Sequence, residues 1–176
     1  MSLRDGNTVG IASVRSDASI VRPAAQLRPA RTEDSAACRA LVNGVLAEFG
    51  LQPDPAATDA DLADVVAHYA ARGGDFAVLV DETGTIVGTC GLFPVEPGVV
   101  ELRKMYLVPA WRGHGQGRRL LDWALTRARE LGFRSMTLET ATVLKDAIAL
   151  YERHGFQRQC SGVHSCRCDL SYNRDL

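Results

Sequence analysis

The chain has 176 residues, of which 46% are apolar and 23% charged, and its formal net charge is −1. That length carries a sizeable core, and the near-neutral balance argues against a general binder of nucleic acid or acidic membrane. No apolar run approaches the roughly 18 residues that span a bilayer. The N-terminus lacks the apolar stretch of a secretory signal, and five cysteines without a Cys-x-x-Cys pair read as reduced thiols in a cytoplasmic protein.

Residues 1–24 mix Ser, Gly, Arg and Ala without a period and read as a flexible tail, leaving 25–176 as one domain. A short strand is expected over 26–30. Thr32 is placed to N-cap a helix, with Glu33 and Asp34 in its first turn. Cys38, Leu41, Val42, Val45, Leu46 and Phe49 then form a helical stripe that Gly50 ends. After a Pro-containing loop, Thr58 or Asp59 caps a second helix, with Leu62, Val65, Val66 and Tyr69 on its apolar side.

The pattern then changes to strands over 76–80, 85–93 and 99–108, joined by tight turns at 81–84 and 96–98, an antiparallel meander. Beyond Pro109 a glycine-rich turn leads into a helix whose buried face is Leu120, Leu121, Ala124, Leu125, Ala128 and Leu131. A strand over 135–139 must run parallel to 99–108, because a helix crosses over between them. A helix over 145–154 ends at Gly155, and strands over 156–159 and 166–170 close the chain. The fold class is α/β (α+β): a central mixed, mostly antiparallel sheet of six to seven strands flanked by four helices, with one parallel pair in the middle.

A strand feeding a glycine turn at a helix N-terminus is an anion site, since free N–H groups and the positive helix end converge there. Three glycine patterns compete for residues 112–117. A triphosphate-binding P-loop needs Gly-Lys-Ser/Thr, which is absent. A dinucleotide fingerprint needs a third glycine where Arg118 stands. An acid, Glu139, does follow at the end of the next strand, but the upstream meander is not built of βαβ units. The third pattern, Gln/Arg-x-x-Gly-x-Gly/Ala, is met by Arg112, Gly115 and Gly117.

Two further stretches go with it. The preceding strand ends Met-Tyr-Leu-Val-Pro at 105–109, and residues 147–156 read Ala-Ile-Ala-Leu-Tyr-Glu-Arg-His-Gly-Phe, matching Ala-x-x-Leu-Tyr-x-x-x-Gly-Phe. With these, most of 26–170 resembles the GNAT family of acyl-CoA N-acyltransferases. The resemblance implies the GNAT fold, with its central parallel pair splayed apart, and acetyl-CoA as co-substrate. It implies that the amides of Arg112, Gly113, His114, Gly115, Gln116, Gly117 and Arg118 cradle the pyrophosphate. It also implies that the backbone at Met105, Tyr106 and Leu107 pairs with pantetheine, an N–H near Met105 polarising the thioester carbonyl. Tyr151 falls at the family's general-acid position and Glu101 at the place where several members carry a general base. Many relatives carry an asparagine where this chain has Leu144.

The implied reaction is transfer of an acetyl group to a primary amine, a small molecule such as an amino acid or a peptide N-terminus. The amine must lose a proton before it attacks. In the family that the chain resembles, the acceptor enters opposite the cofactor, which here implies entry between residues 49–55 and 160–164, where Arg103 and Lys104 are available to pair with an acceptor carboxylate. Each assignment has a structural counterpart. Glu101 can simply pair with Arg103, Tyr151 can be a core tyrosine, and the glycines can form a turn without a ligand. Arg118 and Arg119 either reach the 3′-phosphate of the cofactor or are solvated helix charges. His164, Cys166 and Cys168 alternate along one strand, a poor geometry for tetrahedral zinc, and no metal is expected. Cys38 and Cys90 read as core. Nucleic-acid and membrane partners are not expected. A non-catalytic acyl-CoA sensor, a protein or aminoacyl-tRNA acceptor, and a homodimer stay open.

Overall fold

The computed structural model describes residues 24–160, 165 and 167–176, so all but the last residue of the expected tail lies outside the described residues. Seven strands form one sheet: β1 (Ala25–Pro29), β2 (Asp75–Asp81), β3 (Ile86–Glu96), β4 (Val99–Leu107), β5 (Ser135–Thr140), β6 (Gln157–Gln159) and β7 (Leu170–Asp175). Their order is β1-β2-β3-β4-β5-β7-β6. Every neighbouring pair is antiparallel except β4 and β5, which are parallel. Four helices flank the sheet: α1 (Ser35–Glu48), α2 (Val65–Ala70), α3 (Gln116–Glu130) and α4 (Lys145–Arg153). The parallel pair exists because α3 carries the chain back across the sheet between β4 and β5.

Two apolar layers sandwich the sheet. On one face Cys38, Val42 and Leu46 of α1 and Val65 and Tyr69 of α2 pack on Phe76, Val78 and Phe93. On the other, Leu120, Leu121, Ala124, Leu125 and Ala128 of α3 and Tyr151 of α4 pack on Leu92, Val100, Leu102, Met136 and Leu138. Each leucine so buried contributes about 1.5–3 kcal/mol. The pleat of β4 sends Val100 and Leu102 into the second layer and turns Glu101 and Arg103 to the face of α1 and α2.

Three expectations are corrected. The first helix starts at Ser35, not Thr32: Thr32–Asp34 form a 3₁₀ turn. Asp34 accepts hydrogen bonds from the Arg31 amide (2.7 Å) and from the Arg28 guanidinium (2.6 and 3.0 Å), which fixes the entry. The second helix is broken into a 3₁₀ turn, Ala60–Leu62, and α2, which Asp64 caps by accepting from the Ala67 amide (3.0 Å). Asp59 stands at the N-cap of the 3₁₀ turn but makes no side-chain cap bond, because its carboxylate is turned elsewhere. The last strand is Leu170–Asp175, not 166–170. A turn closed by the Cys168 amide on the Ser165 carbonyl (3.1 Å) occupies the earlier stretch, while His164 and Cys166 lie outside the described residues. Among the described residues no helix is long and apolar enough to cross a membrane.

Candidate active site

β4 and β5 pair from Val99↔Ser135 to Leu102↔Leu138 and no further, although β4 continues to Leu107 and β5 to Thr140. A bulge in β4 lies where they part. The register against β3 jumps between Thr89↔Tyr106 and Gly91↔Arg103, so Lys104 and Met105 together oppose Cys90. Lys104 has φ 51, the one positive value at a non-glycine among the described residues. That conformation costs about 1–2 kcal/mol and is held by Thr89 Oγ1 donating to the Lys104 carbonyl (2.6 Å). Beyond the bulge, the Val108 amide donates to the Val87 carbonyl (3.0 Å). The alternation of an antiparallel ladder then turns the backbone groups of Leu107 and Met105 the other way, into the parting. The Leu107 carbonyl accepts Arg112 Nε there (3.0 Å).

The glycine turn follows a 3₁₀ turn at Pro109–Trp111. Gly113 (φ 76) and Gly115 (φ 80) are both left-handed, and a Cβ on either would meet nothing within 4 Å. Backbone conformation rather than crowding therefore requires glycine at both positions. Gly115 caps α3, whose first internal bond runs from the Arg119 amide to the Gly115 carbonyl (3.1 Å). The amides of Gln116, Gly117 and Arg118 consequently have no intrahelical acceptor. The side chains here are engaged with the protein. Arg112 forks onto Glu48 (2.6 and 2.8 Å) and lies over Phe49, and Arg119 donates to the Ala25 carbonyl (2.7 Å). Arg118 reaches Asp122 (3.4 Å) on the exposed side of α3, and His114 is exposed. Gln116 is buried with Oε1 unpartnered among the described residues.

A cleft of about 1770 Å³ takes in the β4–β5 parting, the glycine turn and the space beside α1 and α2. Tyr151 of α4 lines it, 6% exposed, edge-on to Phe156 (5.8 Å). Its hydroxyl has no hydrogen-bond partner among the described residues. Burial, with Tyr106, Cys90 and Cys168 nearby, pushes its phenol far above the ordinary range. Glu101 lines the cleft beside the last paired rungs, where Arg103 Nη2 donates to its Oε2 at 2.5 Å. The structural counterpart anticipated for Glu101 is thus present. The Arg103 guanidinium lies 4.0 Å from the Phe93 ring centre, with Arg72 at 5.0 Å and His68 stacked at 5.4 Å.

Lys104, expected to be available to an acceptor, is not. Its ammonium is buried and donates to the Thr58 carbonyl and Asp59 Oδ1, both at 2.8 Å, and lies 3.3 Å from Asp61 Oδ1. Asp59 also accepts both arms of the Arg167 fork (2.8 and 2.6 Å) and the Asp54 amide (2.8 Å). Burial works to raise the Asp59 carboxyl, but Arg167, the Asp54 amide and Lys104 outweigh it and hold it at about 2. Tyr69 donates to Asp61 Oδ2 (2.7 Å), burial and then Asp61 pushing its phenol up. Sequence reasoning missed this network. Asp59 carried a cap signature, and the partners that override it lie far along the chain.

The description "Acetyltransferase (GNAT) family" belongs to the family model that matches residues 42–156. The uncharacterized N-acetyltransferase YjgM of Escherichia coli (strain K12) is 37% identical over 150 residues, covering 80% of this chain and 89% of that protein. A GNAT-family acetyltransferase from Staphylococcus aureus Mu50 superposes with a TM-score of 0.79 at 21% identity, covering 86% of this chain and 99% of that one. A phosphinothricin acetyltransferase from Sinorhizobium meliloti, solved in complex with AcCoA, gives 0.65 at 24% identity over 86% and 88%. The stretch that the family model matches contains the bulged β4, the glycine turn, β5 and Tyr151, and on that match and the Escherichia coli relative the chain belongs to the acetyltransferase (GNAT) family.

Proposed function

We propose that the protein moves an acetyl group from acetyl-CoA to the primary amine of a small molecule, such as an amino acid, or of a peptide N-terminus, by direct attack. The observation that carries this reading is the parting of β4 from β5 beside a glycine turn whose amides lack intrahelical acceptors. These residues fit acetyl-CoA. The Met105 backbone and the Leu107 N–H would pair with the pantetheine amides, while the Tyr106 backbone is turned to Thr89 of β3. The amides of Gly113, His114, Gly115, Gln116, Gly117 and Arg118 would cradle the pyrophosphate, whereas the Arg112 amide already donates to the Pro109 carbonyl (3.1 Å). A phosphinothricin acetyltransferase of the same fold, solved in complex with AcCoA, supports acetyl-CoA as the donor.

When bound, acetyl-CoA supplies the thioester; the chain supplies the proton traffic. An alkyl ammonium with a pKa of ~10.4 must be deprotonated before it attacks. Glu101, on the cleft wall at the seam, is the base, and a carboxylate there receives the proton directly or through one water. The Met105 N–H would donate to the thioester carbonyl oxygen as negative charge develops there, a contribution of about 2.7–4 kcal/mol where such donors have been removed. Tyr151, protonated and unpartnered, returns a proton to the departing sulfur.

Incubation of the protein with acetyl-CoA and a panel of amino acids, polyamines, aminoglycosides and short peptides, with free thiol as the readout, tests the reading. Amine-dependent thiol release is expected with at least one member. Acetyl-CoA binding without release for any amine would instead mark an acyl-CoA sensor.

A further inference from the structure

We infer that the acceptor carries a carboxylate beside its amine, as an α-amino acid does, and that this carboxylate takes Arg103 away from Glu101 and so frees the base. The inference rests on the N-acetyltransfer reading above and narrows it.

The cations near the acceptor end are not equivalent. Lys104 is buried with its ammonium on Thr58 and Asp59, and Arg167 has both arms of its fork on the same Asp59 carboxylate. Arg103 differs. Its side chain is 30% exposed in the cleft, and among the described residues one hydrogen bond holds it, the bond to Glu101. A guanidinium has five N–H donors in a planar fork that matches a carboxylate with two parallel bonds. Phe93 covers one flat side of Arg103, which leaves the edge of the fork to the cleft. Arg72, over the same ring, adds a second positive charge with no ion pair among the described residues. The region around Phe93 therefore suits an anion. A polyamine would bring like charge to it, and a peptide N-terminus has no carboxylate next to its amine.

The same contact explains how Glu101 serves both as an ion-pair partner and as a base. An oxygen that already accepts a charge-assisted bond at 2.5 Å is a poor acceptor for an amine proton. When an acceptor carboxylate replaces Glu101 on the fork, Arg103 exchanges one anion for another and the local charge is conserved. Glu101 is then free beside the incoming ammonium. An acceptor without a carboxylate leaves the pair closed, so recognition and base release are a single event. A site built to bond a polar group rejects the analogue that lacks it.

The test compares free amino acids with their amides, for example L-leucine with L-leucinamide and L-phenylalanine with L-phenylalaninamide, by thiol release. The wild type is expected to favour the acids by about ten- to hundredfold in kcat/KM. Arg103→Gln should erase that ratio with KM for acetyl-CoA unchanged, and should acetylate the amides faster than the wild type does, because Glu101 is permanently released. Equal use of acid and amide by the wild type, or a ratio retained in Arg103→Gln, overturns the carboxylate site. Amide turnover that does not rise in the variant overturns the release of Glu101. Calorimetry of the same amino acids on the CoA-loaded protein separates the two readings. Binding that Arg103→Gln abolishes, without turnover of any amine, keeps the carboxylate site and removes the N-acetyltransfer reading, whereas neither binding nor turnover removes both.

Discussion

Tyr151 keeps its proton because ionising it would place a charge in a nearly dry wall of the cleft. Its ring is fixed by Phe156 and by the packing of α4 on α3, and its hydroxyl answers to nothing else in the described protein. A donor with no internal partner can be aimed at a ligand without breaking a bond. Tyr151→Phe therefore removes one oxygen and little stability, within about 0.5 kcal/mol, while kcat is expected to fall about 10²- to 10⁴-fold with KM for acetyl-CoA unchanged. Steady-state kinetics beside a melting curve decide it, and an unaltered kcat returns Tyr151 to the core. The sign of the shift adds a second expectation. A phenol raised above its usual pKa of ~10 stays protonated through the alkaline range, so Tyr151 contributes no falling limb to the wild-type rate profile below about pH 10. Arg103 and Lys104 make the complementary point. They are adjacent and look interchangeable in the sequence, but the bulge sends Lys104 to Asp59 and leaves Arg103 in the cleft.

At the scale of elements, one carboxylate ties three segments together. Asp59, in the loop between α1 and α2, grips Lys104 of β4 and Arg167 of the turn before β7. That loop and that turn both line the cleft, so their positions along its wall are set together. Asp59→Asn leaves two buried cations undercompensated and is expected to lower stability by about 3–5 kcal/mol. Because the folded carboxyl is held at about 2 against ~3.9 unfolded, its contribution is complete above about pH 4 and is lost as pH falls through about 2. Urea unfolding over that window should show a shallower acid dependence in the variant. An equally stable variant, or the same acid limb, removes Asp59 as a strap. The amphipathic helices and the meander were legible in the sequence because each stripe or alternation is local: the buried apolar faces of α1 and α3 are the predicted ones except at their C-terminal ends, where Phe49 and Leu131 fall past the helix and are half-buried. Asp59 was not, since a Thr-Asp step before apolar residues is a cap signature and its true partners are remote. The bulge was not, since no glycine marks Lys104 and the distortion belongs to its pairing with β3. β7 was missed because Leu170 and Tyr172 alternate with polar residues, and the Cys-x-Cys-x-Leu run beside it looked the stronger pattern.

Across the whole molecule, the sheet has a seam. β1 to β4 form an antiparallel meander, β5, β7 and β6 form a second group, and between them run four paired rungs, Val99↔Ser135 to Leu102↔Leu138, with α3 crossing over. On the other side of the bulge the two groups face each other without main-chain bonds. A pantetheine arm lying there would act as an added strand, pairing with Met105 and the Leu107 N–H beside the Leu107 carbonyl that Arg112 already holds, and joining the groups along their full length. Binding should therefore be read in global stability and, residue by residue, in β4. Acetyl-CoA at 100 times its Kd adds about 2.7 kcal/mol, which for a chain of this size corresponds to a rise in Tm of roughly 5–10 °C. The same addition should slow amide hydrogen exchange at Met105 and Leu107 and at residues 113–118, while amides in β1 and β2 follow only the global change. A rise in Tm with exchange at Met105 and Leu107 unaltered would mean that the ligand holds to the glycine turn alone. The seam would then be a neighbour of the cofactor and not its binding strand.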